Sequence, residues 1–262
     1  LSDLIDANHI LDYHEVVNGF GHISLRNPDD PTTFYMTGVL PPALMRSVND
    51  LALFTVGDAV PVSGSTGNAA SNYHERFIHA SILAAYPGVN SVIHSHALPL
   101  VARGNTADPL RPMINLAAFL GNGVPVYDPE DFYPPGAQRL LLVNSEYLGD
   151  ALAATFSGNG TSVANGTANV PPISVVLQRA HGFTCWGTTV HQAVFKAIYT
   201  LYNEQIQETA EVIVASEGGP DPEFLSPSEI VDSQPLSEGG EGKEWPLWKA
   251  QVDASPLYHN NL

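Results

Sequence analysis

The run "SVIHSHA" (91–97) closes an apolar segment with two histidines one residue apart, His94 and His96. In an extended strand, residues two apart face the same side. His94 and His96 therefore project together, with Ser95 opposite. Two neutral imidazoles converging at a strand end can chelate one divalent cation. Taken alone, such a pair more often marks two hydrogen-bonded core histidines than a metal site. Two further features add to it. Glu75 stands in the helical segment before the strand, and a single Pro87-Gly88 turn returns the chain. His181 follows another apolar strand and precedes Gly182, in "LQRAHGFTCWG". Three neutral imidazoles would leave the full charge of a cation on the site, with open positions for a substrate.

The elements that must position these residues can be read from spacing. "LSDLIDANHILDYHEVVNG" has helical periodicity with Gly19 as its stop. "GHISLR" (21–26) and "TTFYMTG" (32–38) form a strand pair across "NPDDP". "DLALFTV" and "AVPVSG" suggest a further short pair. "NYHERFIHASILAAYP" (72–87) is an amphipathic helix that includes Glu75. Residues 145–156 predict a helix, 173–187 a strand, turn and strand, and 189–216 a long helix. Beyond it lies an acidic, Pro/Gly-rich stretch containing "EWPLWKAQV". No Gly-rich phosphate loop follows a strand, which argues against a dinucleotide-binding domain.

Composition narrows the function. The chain has 262 residues, 27 acidic and 10 basic, for a formal net charge of −17. Such a surface repels nucleic acid and anionic lipid, so neither is expected as a partner. No apolar stretch is long enough to span a bilayer. The single cysteine, Cys185, excludes an intrachain disulfide and cysteine-based zinc sites. Two sequons, at Asn159 and Asn165, share one polar loop, and the sequence opens on Leu1 rather than Met. Together they leave a secreted and a cytoplasmic location open, leaning to secretion, with both asparagines as candidate glycosylation sites.

Taken in order, "GHISLR", "MTG", "ERFIHASILAAYPGVNSVIHSHA", "VPVYD" and "RAHGFTCWGTTVHQAVFKAIYTLYNEQIQ" resemble the class II aldolase/adducin family over about residues 4–216. The resemblance implies a three-layer α/β/α sandwich around a mainly antiparallel sheet. It implies a catalytic divalent metal held by His94, His96 and His181, zinc first, with manganese, iron or cobalt as alternatives. Glu75 takes the family's acid/base place, and a tyrosine proton donor falls near Tyr127. His22, Ser24, Thr37, Gly38, Tyr73, His74 and Trp186 fall around the substrate. The implied assembly is a homo-oligomer, a tetramer in many members. The resemblance implies a catalytic domain over 1–216; a surface insertion at about 156–171 and a 217–262 extension, expected to pack on the domain or on a neighbouring subunit, are additions to the family pattern.

Two departures bear on the substrate. The sugar-phosphate aldolases of the family carry a Ser-Ser pair where this chain has Tyr73-His74, and Gly-Asn where it has Gly21-His22. Both changes replace small phosphate-binding groups by aromatic ones. The pattern is closer to the branch containing decarboxylases of aromatic dihydroxy acids. The expected activity is cleavage of a carbon–carbon bond, by an aldol-type step or decarboxylation, of a non-phosphorylated oxo- or hydroxy-acid through a metal-stabilised enolate. Arg26, Arg111 and Arg179 are candidate carboxylate forks. The alternatives are an Fe(II)-dependent oxygenase on the same fold and a non-catalytic adducin-like interaction module.

Overall fold

The structure, a computed structural model, describes residues 1–37, 40–63, 73–158 and 169–262. Gly38 and both sequon asparagines, Asn159 and Asn165, lie outside the described residues, as does most of the expected insertion.

Seven strands form one sheet. They are β1 (His22–Arg26), β2 (Thr33–Thr37), β3 (Leu51–Thr55), β4 (Ser91–Ser95), β5 (Val126–Tyr127), β6 (Val175–Gln178) and β7 (Gly182–Gly187). Their spatial order is β3-β2-β1-β4-β7-β6-β5. Every neighbouring pair is antiparallel except β5 with β6. β4 is therefore central, and all five of its residues are buried. Alternation along β4 sends Ile93 to one face and Val92 with His94 to the other.

Helices cover both faces, which gives the expected three-layer sandwich. One face carries α1 (Ser2–Tyr13), α3 (Leu98–Arg103) and α5 (Val190–Glu217), packed on Ile23, Ile93, Phe183 and Cys185. The other carries α2 (Arg76–Ala85) and α4 (Glu146–Thr155), packed on Phe34, Met36, Val92 and Val176. The apolar stripe of α2 at Ile78, Ile82 and Leu83 accounts for its docking.

Three expectations about elements need correction. α1 ends at Tyr13 rather than near Gly19. Glu15 takes the left-handed conformation at φ 59°, its N–H donates to Asp12, and the Val16 N–H donates to Leu11. This is a Schellman stop built without glycine. α2 begins at Arg76, so Glu75 caps the helix instead of lying within it. The acidic, Pro/Gly-rich stretch after α5, to which the sequence assigns no element, contains α6 (Pro227–Glu238) and α7 (Glu241–Asp253). Ser226 and Glu229 form a capping box, with Pro227 at the first helical position. Both helices pack on their own chain. Trp245 stacks on His191 with ring centroids 3.8 Å apart, and Trp248 is buried against α5. Among the described residues, no helix is long and apolar enough to cross a membrane.

The turn from β6 to β7 is held tightly against the end of β4. Ala180 has φ 56° and Gly182 φ 142°. A Cβ at Gly182 would collide with the Ser95 carbonyl oxygen. Only glycine supplies both the backbone angle and the clearance. Gly182→Ala is expected to destabilise the fold by about 3 kcal/mol or more and to displace the turn carrying His181. Chemical denaturation measures it, and wild-type stability would refute the close contact.

Candidate metal centre

The β1–β4–β7 register assembles the centre. His22 lies opposite His94 on β1, and Thr184 lies opposite His94 on β7. His96 stands one residue past β4, and His181 stands in the turn that Gly182 pins to the same strand end. Glu75 enters from the cap of α2. Its side chain makes no capping bond, so the carboxylate is left for the site. The position before the first helical turn also favours its negative charge.

The four side chains converge. His94 Nε2 lies 2.8 Å from His96 Nε2. Glu75 Oε1 lies 3.1 Å from His181 Nε2 and 3.8 Å from His94 Nε2. Glu75 Oε2 lies 4.0 Å from His96 Nε2. One donor atom from each of the four falls within 4.8 Å of the others. His94 is fully buried, whereas the side chains of His96 and His181 are 19% and 10% exposed. The site therefore opens on the His96 and His181 side.

The donor set fits a divalent cation. Burial holds His94 well below the ordinary histidine value of 6.5, and burial with the facing His181 lowers His96 to about 4. Both rings are thus neutral at physiological pH, the state a ligand requires. Two imidazole nitrogens 2.8 Å apart cannot both carry protons. Glu75 Oε1 is buried with His181 Nε2 3.1 Å away but no well-directed hydrogen bond, so it keeps acceptor capacity. Desolvation acts to raise the Glu75 carboxyl, but the imidazoles of His94, His181 and His22 outweigh it and keep it well below the usual carboxylate range.

Behind Glu75 runs a buried chain of polar groups. His22 Nε2 lies 3.5 Å from Glu75 Oε2, His22 Nδ1 2.6 Å from His79 Nε2, and His79 Nδ1 2.7 Å from Ser24 Oγ. All three partners are fully buried. The structure thus puts His22 and Ser24 behind the carboxylate instead of on the open side. Tyr73 sets its ring edge-on to His22 at 5.2 Å, and its hydroxyl donates to the Phe20 carbonyl. His74 is exposed beside Glu75.

Three expected site residues are not brought to the cluster. The Tyr127 hydroxyl donates to the Leu148 carbonyl, and its ring stacks on Phe132 in the core. Trp186 shares a sheet face with His94 but lies further down β7, opposite Val92. Its indole N–H donates to the Ile173 carbonyl, and Lys196 Nζ sits 3.9 Å from its ring centroid. Thr37 is buried at the end of β2, two strands from β4. The arginines are engaged elsewhere. Arg26 donates to the Leu83, Tyr86 and Val89 carbonyls, Arg179 pairs with Asp128, and Arg111 lies over the Phe224 ring beside Asp108. Two residues absent from the sequence reading touch His94: Thr184 Oγ1 at 3.2 Å and Gln178 Nε2 at 3.0 Å from its Nδ1. The one signal for Gln178 is a carboxamide closing the apolar run "VVL" just before His181.

Residues 2–207 match the class II aldolase and adducin N-terminal domain, and the chain belongs to that family. It is 37% identical over 261 residues to decarboxylase tropJ of Talaromyces stipitatus, covering 98% of this chain and 95% of that one. It is 26% identical over 199 residues to a 3,4-dihydroxyphthalate decarboxylase of Arthrobacter keyseri, covering 73% and 71%. These relatives place it in the decarboxylase-like branch and support a lyase. Among solved structures, an aldolase II superfamily protein from Pseudomonas syringae shares the fold at TM-score 0.71 and 18% identity, covering 98% of this chain and 93% of that one. An L-fuculose 1-phosphate aldolase from Glaciozyma antarctica does so at TM-score 0.69 and 20% identity, covering 99% and 91%.

The buried histidines make stability depend on pH. His79 and His94 in the folded protein bind a proton only well below 6.5, because burial disfavours the charged ring. The unfolded chain binds protons at these residues near 6.5. Below that pH the unfolded state holds more protons, so stability falls as pH falls. Glu75, held low when folded, adds a loss of the same sign at more acidic pH. Metal-free protein should lose on the order of 1 kcal/mol per pH unit for each of His79, His94 and His96 between about pH 6.5 and 5. Thermal melts across that range measure it, and a flat profile would contradict the neutral assignment.

Proposed function

We propose that the protein is a divalent-metal-dependent decarboxylase acting on a non-phosphorylated aromatic acid that carries a hydroxyl beside its carboxylate. The convergence of Glu75 with His94, His96 and His181 carries this reading, supported by the decarboxylase relative that aligns over nearly the whole chain. His94, His96 and His181 are the proposed ligands, and an all-imidazole set with open positions favours zinc over magnesium or calcium. The bound cation would supply a Lewis acid for two adjacent substrate oxygens.

The remaining steps belong to the protein's own groups. Glu75 rests ionised and accepts the proton of the substrate hydroxyl. It then returns a proton to the ring carbon that bears the carboxylate. The bond to that carboxylate breaks as carbon dioxide leaves, and its electron pair restores the ring. Water reprotonates the product oxygen. The His22–His79–Ser24 chain holds Glu75 in place throughout. Tyr73 and His74, standing where the aldolases of the family carry a serine pair, support a flat, non-phosphorylated substrate. Phe20 and Leu98 are 74% and 79% exposed. The Phe20 carbonyl accepts the Tyr73 hydroxyl and Leu98 follows His96 by two residues, so both put exposed apolar surface near the site. A homotetramer is the proposed assembly, supported by exposed Val212 and Ile213 on α5.

The test uses protein stripped of metal and reloaded with zinc, manganese, cobalt or ferrous iron. It is offered 3,4-dihydroxyphthalate, dihydroxybenzoates and L-fuculose 1-phosphate under strict anaerobiosis. Carbon dioxide should be released from an aromatic acid, only with metal present. Dependence on oxygen would favour the oxygenase alternative, and cleavage of the sugar phosphate alone would overturn the substrate class. Glu75→Gln should lower turnover by about 10²–10⁴-fold while metal content stays at the wild-type level. His94→Ala and His181→Ala should lose the metal itself.

A further inference from the structure

Gln178 closes β6 with its side chain 1% exposed. Its carboxamide lies against His94 on the side away from Glu75. Gln178 Nε2 is 3.0 Å from His94 Nδ1 and 2.6 Å from Thr184 Oγ1, and Thr184 Oγ1 is 3.2 Å from the same His94 Nδ1. Gln178 Oε1 is buried with no hydrogen-bond partner. The register explains the contact. Gln178 lies two residues beyond Val176, which faces Thr184, which in turn faces His94. The three side chains therefore share one face of the sheet.

An imidazole that uses Nε2 as a ligand must carry its proton on Nδ1. An Nδ1–H cannot face an NH₂ group at 3.0 Å. The two ends of a carboxamide exchange by rotation about its last bond, and the hydrogen-bond network decides between them. Either orientation leaves the outer amide atom without a partner, so the inner contacts make the choice. With oxygen inward, Gln178 accepts from His94 Nδ1–H and from the Thr184 hydroxyl, filling both lone pairs of one oxygen.

We propose that the Gln178 carboxamide oxygen, assisted by Thr184, fixes the Nδ1–H tautomer of His94 and so presents its Nε2 lone pair to the cation. Gln178 is then a positioning residue that acts through His94. The proposal rests on His94 being a metal ligand. Outer partners of ligating histidines set both tautomer and ring orientation, and losing one costs about 10–100-fold in metal affinity.

The experiment measures Zn²⁺ affinity by chelator competition on the full-length wild-type, Gln178→Leu, Gln178→Glu and His94→Ala proteins, with a thermal melt of each metal-free form as a folding control. Gln178→Leu should bind Zn²⁺ about 10–100-fold more weakly. Gln178→Glu, which retains an acceptor and has no donor, should bind within about threefold of wild type or more tightly. Nitrogen NMR of the Zn²⁺-loaded wild type should show the His94 proton on Nδ1. Wild-type affinity in Gln178→Leu, or a loss in Gln178→Glu as large as in Gln178→Leu, would overturn the assignment while leaving the ligand set intact. Should Gln178→Leu fail to fold, Gln178→Glu and the NMR tautomer decide alone. Unchanged Zn²⁺ binding in His94→Ala would overturn the ligand reading, and this inference with it.

Discussion

His94 sits between two backbones that leave it no freedom to move along the sheet. β1 on one side sets His22 opposite it, and β7 on the other sets Thr184. A one-residue slip of either strand would turn the facing side chain to the α1 and α5 face. The site thus depends on hydrogen-bonded register in the interior of the sheet, where pairing is satisfied on both edges. The turn at Gly182 extends the same constraint to His181, because the start of β7 packs directly on the end of β4. Glu75 is delivered separately, by the docking of α2 on the opposite layer of the core. A sheet interior and a helix cap, each rigid for its own reason, meet at a single cluster.

Charge explains why such a cluster suits a chain of −17. An anionic substrate approaching this surface is repelled at long range. Arg26, Arg111 and Arg179 hold backbone carbonyls or acidic neighbours instead of receiving it. A cation held by neutral imidazoles would provide the local attraction that the basic side chains do not. The replacement of the serine pair by Tyr73 and His74 fits the same logic, since a dianionic phosphate group would find little there to hold it.

Much of this was legible before the fold was known. The hairpin of β1 and β2, the all-buried β4 and the long α5 have strong periodicities, and their ends agree with the sequence reading to within a residue or two. His94, His96, His181 and Glu75 were recognisable because several motifs occur in one order. The misreadings have local causes. Glu15 occupies a conformation normally given to glycine, so the end of α1 carried no marker. Pro235, Pro246 and the surrounding glycines masked α6 and α7, although "SPSE" at 226–229 is a capping signature. Tyr127 and Trp186 stand near the right motifs. Whether such a side chain lines a cleft or fills a core depends on partners outside its own motif, such as Leu148 and Ile173, 21 and 13 residues away. Gln178 did not stand out because one glutamine closing an apolar run is a weak signal on its own.

The packing of α7 has a consequence for the order in which the molecule is made. Tyr258 bonds Asp12 across a separation of 246 residues, and Asn260 bonds Ser2 and Asp6. The apolar face of α1, with Leu4, Ile5 and Leu11, is covered by elements from the last third of the chain, α5 and α7. During synthesis α1 is made long before α5 and α7 and waits for their cover. Contacts between such distant segments carry the largest loop-closure cost and form late. The apolar face of α1 is therefore completed late in folding, and until α5 and α7 dock it is a surface on which partly folded chains can associate.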